Sequence, residues 1–313
     1  MAGYPYRPDL PAPPARGTVD PGDARMAPML RVMAENLRAQ ARGFSPPAGV
    51  KMRLLQLPAW DGGSLDCFVL EPQDAKEPLP GMVYCHGGGF FLPVQPTSLQ
   101  LAALYAQALE MRAFLPEYRL LPDYASPYPF RDCLSAWQAI CTEAGRLAVD
   151  PCRMLLYGES AGGALAAGLA LWLRDHEKKQ PKGQLLVYPV LDNRCSRYPS
   201  MVRYSQAAWP LGSNLAMWKN YLRDGDQDMK PYLIPMQAEK VDGLPAAYIE
   251  PQEIDILRDE GIAYARRLEQ AGCPVRLQVV EGSYHGFDAD TANPFVRRII
   301  GQRTAAMEWM LGL

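Results

Sequence analysis

Rhythm constrains this chain more than any other feature. From residue 81 onward, short apolar runs alternate with longer segments of helical spacing. GMVYC (81–85), RAFLPEYRL (112–120), RMLLYGES (153–160), GQLLVYPVL (183–191), LPAAYIEP (244–251) and VRLQVVEGSY (275–284) read as strands. Between and after them, residues 99–111, 131–147, 163–175, 257–272 and 293–310 read as helices. Such alternation predicts βαβ units and a mostly parallel sheet covered by helices on both faces. Ahead of it, KMRLLQLPAW and SLDCFVLEP flank the turn residues DGG, a hairpin signal that places one antiparallel strand near an edge. A helix is expected over about 23–42, with Met26, Met29, Leu30, Met33 and Leu37 on one side as a buried face or a covering lid. Residues 193–230 break the rhythm and, with that helix, are candidates to cover the sheet's C-terminal edge, where open α/β folds bind ligands.

Composition narrows the function classes. The 313 residues suffice for one large α/β domain or two small ones, and 48% hydrophobic residues support a substantial core. A net charge of −2 gives no sign of a nucleic-acid groove or a basic membrane patch. The seven cysteines form no CxxC pair, which argues against a disulfide framework or a zinc site and suits a reducing compartment. The first residues lack the basic start and apolar core of a secretory signal, and no window is apolar enough to span a bilayer. Cytoplasmic localisation is therefore expected. Asp224, Asp226 and Asp228 imitate the start of a calcium loop, but its sixth-position glycine and twelfth-position glutamate are missing, so a solvated loop is expected. Trp209, Trp218 and Tyr221 are expected to pack in the core rather than wall an acyl pocket.

Gly158-Glu159-Ser160-Ala161-Gly162 fits G-x-S-x-G, a pattern that puts a serine on a tight strand-to-helix turn. A phosphate cradle would need a lysine after the glycines or a G-x-G-x-x-G spacing, and neither is present. A serine hydroxyl attacks only when a base takes its proton. Of three histidines, His176 lies in a polar helix end and His86 precedes the serine. His285 follows the last predicted strand, in the Ser, acid, His order of chains built on this turn. The orienting carboxylate should lie between Ser160 and His285, where Glu250, Glu253, Asp255, Asp259 and Glu260 are available. Asp259 and Glu260 suit a helix's first turn. Position alone favours Asp255, with Glu253 second. The tetrahedral intermediate also needs N–H donors; HGGGF (86–90) supplies a bare loop, and Ala161 follows the nucleophile.

With these motifs assembled, the chain resembles the hormone-sensitive-lipase-like (family IV) branch of the α/β-hydrolases, which includes microbial esterases and arylesterases. The shared text is HGGGF (86–90), YRLLPD (118–123), GESAGG (158–163), DILRDEG (255–261) with YARRLEQAG behind it, and YHGF (284–287), within about residues 80–290. The resemblance implies an α/β-hydrolase fold: an eight-stranded, mostly parallel sheet, helices on both faces and a helical cap. It implies an N-terminal cap segment (1–50), a core in two parts (51–192 and 231–313) and a cap insertion (193–230). It implies a triad of Ser160, Asp255 and His285, which decides for Asp255 over Glu253. Gly88, Gly89 and Ala161 become the oxyanion donors, with His86 and Gly87 as the supporting loop. The implied activity is that of a serine carboxylesterase acting on short-chain acyl esters through an acyl-enzyme. A small-molecule ester is the only partner implied, with no metal, organic cofactor, nucleic acid or membrane. Homodimers through an edge strand or the final helix are common in such folds by analogy. The departures, LLPDYASPYPF at 120–130 and the bulky Phe90-Phe91-Leu92, concern substrate shape. Two rival readings are an amide or acetyl-group hydrolase with the same triad, and a non-catalytic small-molecule receptor on the same scaffold. Plant gibberellin receptors resemble this family but lack the histidine, so an intact His285 argues against the receptor.

Overall fold

The strands are β1 (Val50–Pro58), β2 (Ser64–Pro72), β3 (Leu79–Cys85), β4 (Arg112–Pro116), β5 (Val149–Glu159), β6 (Gly183–Val187), β7 (Ala246–Glu250), β8 (Gln252–Ile254), β9 (Val275–Leu277) and β10 (Val280–Tyr284). The longer helices are α1 (Met26–Arg42), α2 (Pro96–Ala108), α3 (Tyr128–Thr142), α5 (Ala161–His176), α7 (Leu211–Tyr221), α9 (Arg258–Gln270) and α10 (Pro294–Leu311). Three single turns are α4 (Ala144–Leu147), α6 (Pro199–Arg203) and α8 (Lys230–Leu233). These elements come from a computed structural model that describes residues 4–13, 17–75, 77–225 and 228–313.

Eight strands form one sheet in the order β1-β2-β4-β3-β5-β6-β7-β9, in which β2 runs opposite to the other seven. This is the fold class expected from the sequence, with the antiparallel strand one place in from the edge. Alternation along each strand divides the core in two. Val83, Leu156, Leu186 and Ile249 pack with Phe130 of α3, Leu169 of α5 and Leu268 of α9. Met82, Leu155, Leu185 and Tyr248 pack on the other face with Leu99 and Tyr105 of α2 and Ile299 and Met307 of α10.

VRLQVVEGSY does not form the single strand expected. Val275–Leu277 ends the main sheet beside β7, and Val280–Tyr284 then pairs in parallel with β8 as a separate two-stranded sheet. Pro251 is the physical cause: it has no N–H to extend the β7 ladder, so the chain restarts as β8 one residue later. The Pro251 carbonyl instead accepts from Val280 N–H at 3.0 Å, which carries β10 across with it.

Register aligns the C-terminal ends of the central strands: Cys85 pairs with Gly158, Glu159 with Val187, and Val187 with Glu250. The residues that follow β3, β5 and β6 therefore leave the sheet at one edge. Leu30 and Met33 of α1, with Trp209, Pro210 and Ser213, approach the chain at that edge. In α1, Leu30, Ala34 and Ala41 are buried, with Leu30 and Ala41 joining the core on its two faces, while Met29 is 69% exposed on the outer side.

Candidate active site

β5 ends at Glu159 and α5 begins at Ala161, leaving Ser160 alone at the bend with φ 52° and ψ −123°. A non-glycine residue in such a conformation costs about 1–3 kcal/mol and persists only where its surroundings hold it. Here Ser160 N–H donates to the Val187 carbonyl at 3.0 Å, and the Ser160 carbonyl accepts from Gly163 and Val190 N–H at 2.9 Å each. Gly162 lets α5 start against β3, since a Cβ there would sit 2.0 Å from the Cys85 carbonyl oxygen.

The pairing of β8 with β10 brings the next two groups together. Ile254 is in register with Tyr284, so the following residues, Asp255 and His285, stand side by side. His285 Nδ1 lies 2.7 Å from Asp255 Oδ2, and His285 Nε2 lies 2.8 Å from Ser160 Oγ. A carboxylate can only accept, so Nδ1 carries the proton and Nε2 is free to accept from the serine hydroxyl. Asp255 also accepts from Leu257 N–H at 3.1 Å and is fully buried. The second-ranked acid, Glu253, points elsewhere and accepts from Gly282 N–H at 2.7 Å. Asp259 and Glu260 occupy the first turn of α9, as expected.

Gly87, Gly88 and Gly89 line the same cavity as Ser160 and His285. Gly88 has φ +107°, and a Cβ there would meet the Leu92 Cβ at 2.6 Å. Ala161 is buried at the head of α5, where first-turn N–H groups have no acceptor within their helix. His86 is buried below this loop, its ring stacked on Tyr118 at 4.0 Å. Its Nδ1 donates to the Gly87 carbonyl at 2.8 Å, and burial pushes its pKa down to about 3, so it is a neutral support. His176 is exposed and stacks on Trp172.

Glu159 is a member of the site that motif reading passed over. Its buried carboxylate accepts from Ser98 Oγ and Tyr84 OH at 2.8 Å each and from Gly87 N–H at 3.3 Å. It therefore ties the serine bend to the glycine loop and to α2. Burial, then the charge of Asp288, hold its pKa above the usual carboxylate range. The signal available in the sequence was an acidic residue amid an otherwise apolar turn.

The cavity over Ser160 holds about 430 Å³. Its apolar walls come from Leu30 and Met33 of α1, Phe91 and Leu92 after the glycine loop, and Trp209 before α7. The Trp209 ring lies 6.0 Å from that of His285 and 6.4 Å from that of Phe91, so this tryptophan, buried in the core as expected, is also cavity wall. Trp218 and Tyr221 are buried in the core, with Tyr221 stacked on Phe90. Asp224 and Asp228 are exposed, and Asp226 lies outside the described residues.

Comparison with known proteins places the chain in a family. A family model described as the alpha/beta hydrolase fold matches residues 82–289. An ethyl acetate hydrolase of Pseudomonas putida is 32% identical over 238 residues, covering 74% of each chain. An arylesterase of Saccharolobus solfataricus is 32% identical over 209 residues, covering 66% of this chain and 67% of its own. Among solved structures, a bacterial heroin esterase superposes with a TM-score of 0.85 at 32% identity, covering 94% of both chains. The chain belongs to the alpha/beta-hydrolase fold family, in its hormone-sensitive-lipase-like carboxylesterase branch.

Proposed function

We propose that this carboxylesterase hydrolyses short-chain acyl esters with Ser160 as nucleophile, His285 as general base and Asp255 as the group that orients it. The observation that carries the reading is the unbroken line of hydrogen bonds, 2.8 and 2.7 Å long, from Ser160 through His285 to Asp255. His285 Nε2 takes the hydroxyl proton as Oγ attacks the ester carbonyl, and Asp255 stabilises the imidazolium that forms. N–H groups of Gly88, Gly89 and Ala161 receive the oxyanion. The imidazolium then protonates the departing alcohol, and a water activated by the same histidine releases the acid from the acyl-enzyme.

Support for a short acyl chain comes from the cavity, whose 430 Å³ must hold the whole ester and falls near the small end of ligand pockets. The cap is assigned to residues 1–50 and 193–230, which contribute Leu30, Met33, Trp209 and Ser213 to the cavity wall. Among the described residues, no helix is long and apolar enough to cross a membrane. We place the protein in the cytoplasm, an assignment supported by its seven unpaired cysteines. Ser160→Ala is expected to lower the kcat for p-nitrophenyl acetate by at least about 10⁴-fold, with the fold intact. Turnover within tenfold of the parent protein would overturn the assignment, and an ester series from acetate to octanoate tests the chain length.

A further inference from the structure

Beside His285 lies a group of charged side chains that the chemistry above does not use, one of which, Asp288, also lines the cavity. Arg303, on α10, is wholly buried. Its Nε and one terminal nitrogen donate to the two Glu250 carboxylate oxygens at 2.8 and 2.6 Å, and its other terminal nitrogen donates to Asp288 at 2.6 Å. Taking one cation and two anions out of water is costly, and such groups are weak evidence for stability. Their connections point to a different role.

Each carboxylate leads to one flank of His285. Asp288 sits three residues after the histidine, in the turn Phe287–Ala289, and accepts from Tyr188 OH at 2.8 Å. The Tyr188 ring in turn packs on the His285 imidazole at 4.6 Å. On the other side, Glu250 accepts from the Gln252 side-chain amide at 3.0 Å, and Gln252 accepts from Ser283 Oγ at 2.5 Å, two residues before the histidine. The path therefore closes on itself: Arg303, Asp288, the segment 288–283, Gln252, Glu250 and back to Arg303.

We propose that Arg303 is a positioning residue for His285, clamping the histidine segment from both flanks through Asp288 and through Glu250, Gln252 and Ser283. The segment needs such a clamp. β10 is held by a short two-stranded pairing outside the main sheet, and Gly286 turns the chain at φ +76° directly after the histidine. A drift of about 1 Å would carry the 2.8 Å Ser160–His285 contact out of hydrogen-bond range, and displacement of that size costs rates on the order of a hundredfold.

This inference rests on the triad reading above, and the test separates the two. Asp288→Asn, Arg303→Lys, their double variant and Ser283→Ala are compared with the parent protein on p-nitrophenyl acetate. The low-field proton NMR signal of the His285 Nδ1–H bonded to Asp255 is followed in parallel. Asp288→Asn and Arg303→Lys should each lower kcat by about tenfold to a hundredfold with KM within about twofold, and broaden or abolish the low-field signal. The double variant should lose little more than the worse single, because both break one path. Ser283→Ala, which removes a single hydroxyl and keeps the buried charges paired, should lose about threefold or more in kcat with KM unchanged. It carries the test if the charged variants do not fold. Folded variants with parental kcat and an unchanged signal would overturn the clamp, as would losses confined to KM or losses that multiply. Failure of the triad reading appears differently, as turnover that survives Ser160→Ala, and leaves the NMR signal as the measure of the clamp.

Discussion

Replacing Glu159 distinguishes a carboxylate needed for its charge from one needed for its shape. The three groups around it are a backbone N–H, which can only donate, and two hydroxyls, which can do either. Gly87 N–H and Ser98 Oγ both reach Oε1, while Tyr84 OH reaches Oε2. A glutamine amide fits the same places: its oxygen accepts from Gly87 and Ser98, and its NH₂ donates to the Tyr84 oxygen. Glu159→Gln should therefore keep kcat within about threefold, a change of less than 1 kcal/mol in the barrier. Glu159→Ala leaves the Gly87 N–H with no acceptor and opens a cavity. An unsatisfied buried donor costs about 1–3 kcal/mol and the lost packing adds to it, so a destabilisation of roughly 3–5 kcal/mol is expected. Because Gly88 and Gly89 follow Gly87, their N–H groups lose aim, and kcat should fall by about 10²-fold, on the scale of one oxyanion donor.

The same pair of variants tests the protonation of Glu159. Its pKa is raised above 4.5 by burial, so the folded chain binds this proton more tightly than the unfolded chain does. The contribution to stability is then fully present below the unfolded value and is lost as pH rises through the folded one. Glutamine does not titrate. Urea midpoints measured across the acid to neutral range should show the glutamine variant gaining on the parent protein as pH rises. A glutamine variant as inactive as alanine, or a difference in stability that does not depend on pH, would refute the reasoning.

Two further perturbations probe the loop and the cavity. Gly88→Ala forces a side chain into φ +107° and against Leu92; it should cost about 1–3 kcal/mol by thermal melting and lower kcat far more than it raises KM. A folded variant with parental kcat would remove Gly88 from the oxyanion assignment. Trp209→Leu shortens the wall beside His285 and Phe91 and should move the preferred p-nitrophenyl ester to a longer chain. An unchanged chain-length profile would show that Trp209 does not set the limit.

What could be read from the sequence, and what could not, follows from how far apart the interacting groups lie along the chain. Ser160 was legible because its bend is made by residues 158–163, where the glycines at 158 and 162 leave no room for a Cβ. Position alone ranks Asp255 over Glu253 but does not decide between them, because the pairing that separates them involves a three-residue strand that periodicity does not register. Once Ile254 pairs with Tyr284, only Asp255 stands beside His285. Glu159 was within reach of strand parity: Leu155, Tyr157 and Glu159 share one face of β5, and Tyr157 pairs with Tyr84, whose hydroxyl Glu159 accepts.

Arg303 and Asp288 lay beyond any such rule. Helical periodicity would place an arginine among Ile299, Ile300, Ala306 and Met307 only as an interruption of an apolar face. Its partners come from the end of β7 and from the turn after β10, and only the docking of α10 across the sheet joins them. That difference bears on function. The groups proposed to meet the substrate sit on local motifs, whereas those proposed to fix their geometry come from separate elements: Arg303 of α10 reaches Glu250, 53 residues away, and Tyr188 reaches Asp288, 100 residues away. A fold can keep the motifs and still lose turnover when α10 shifts. The proposed clamp predicts that outcome for Arg303→Lys, and a plain tally of motif residues does not.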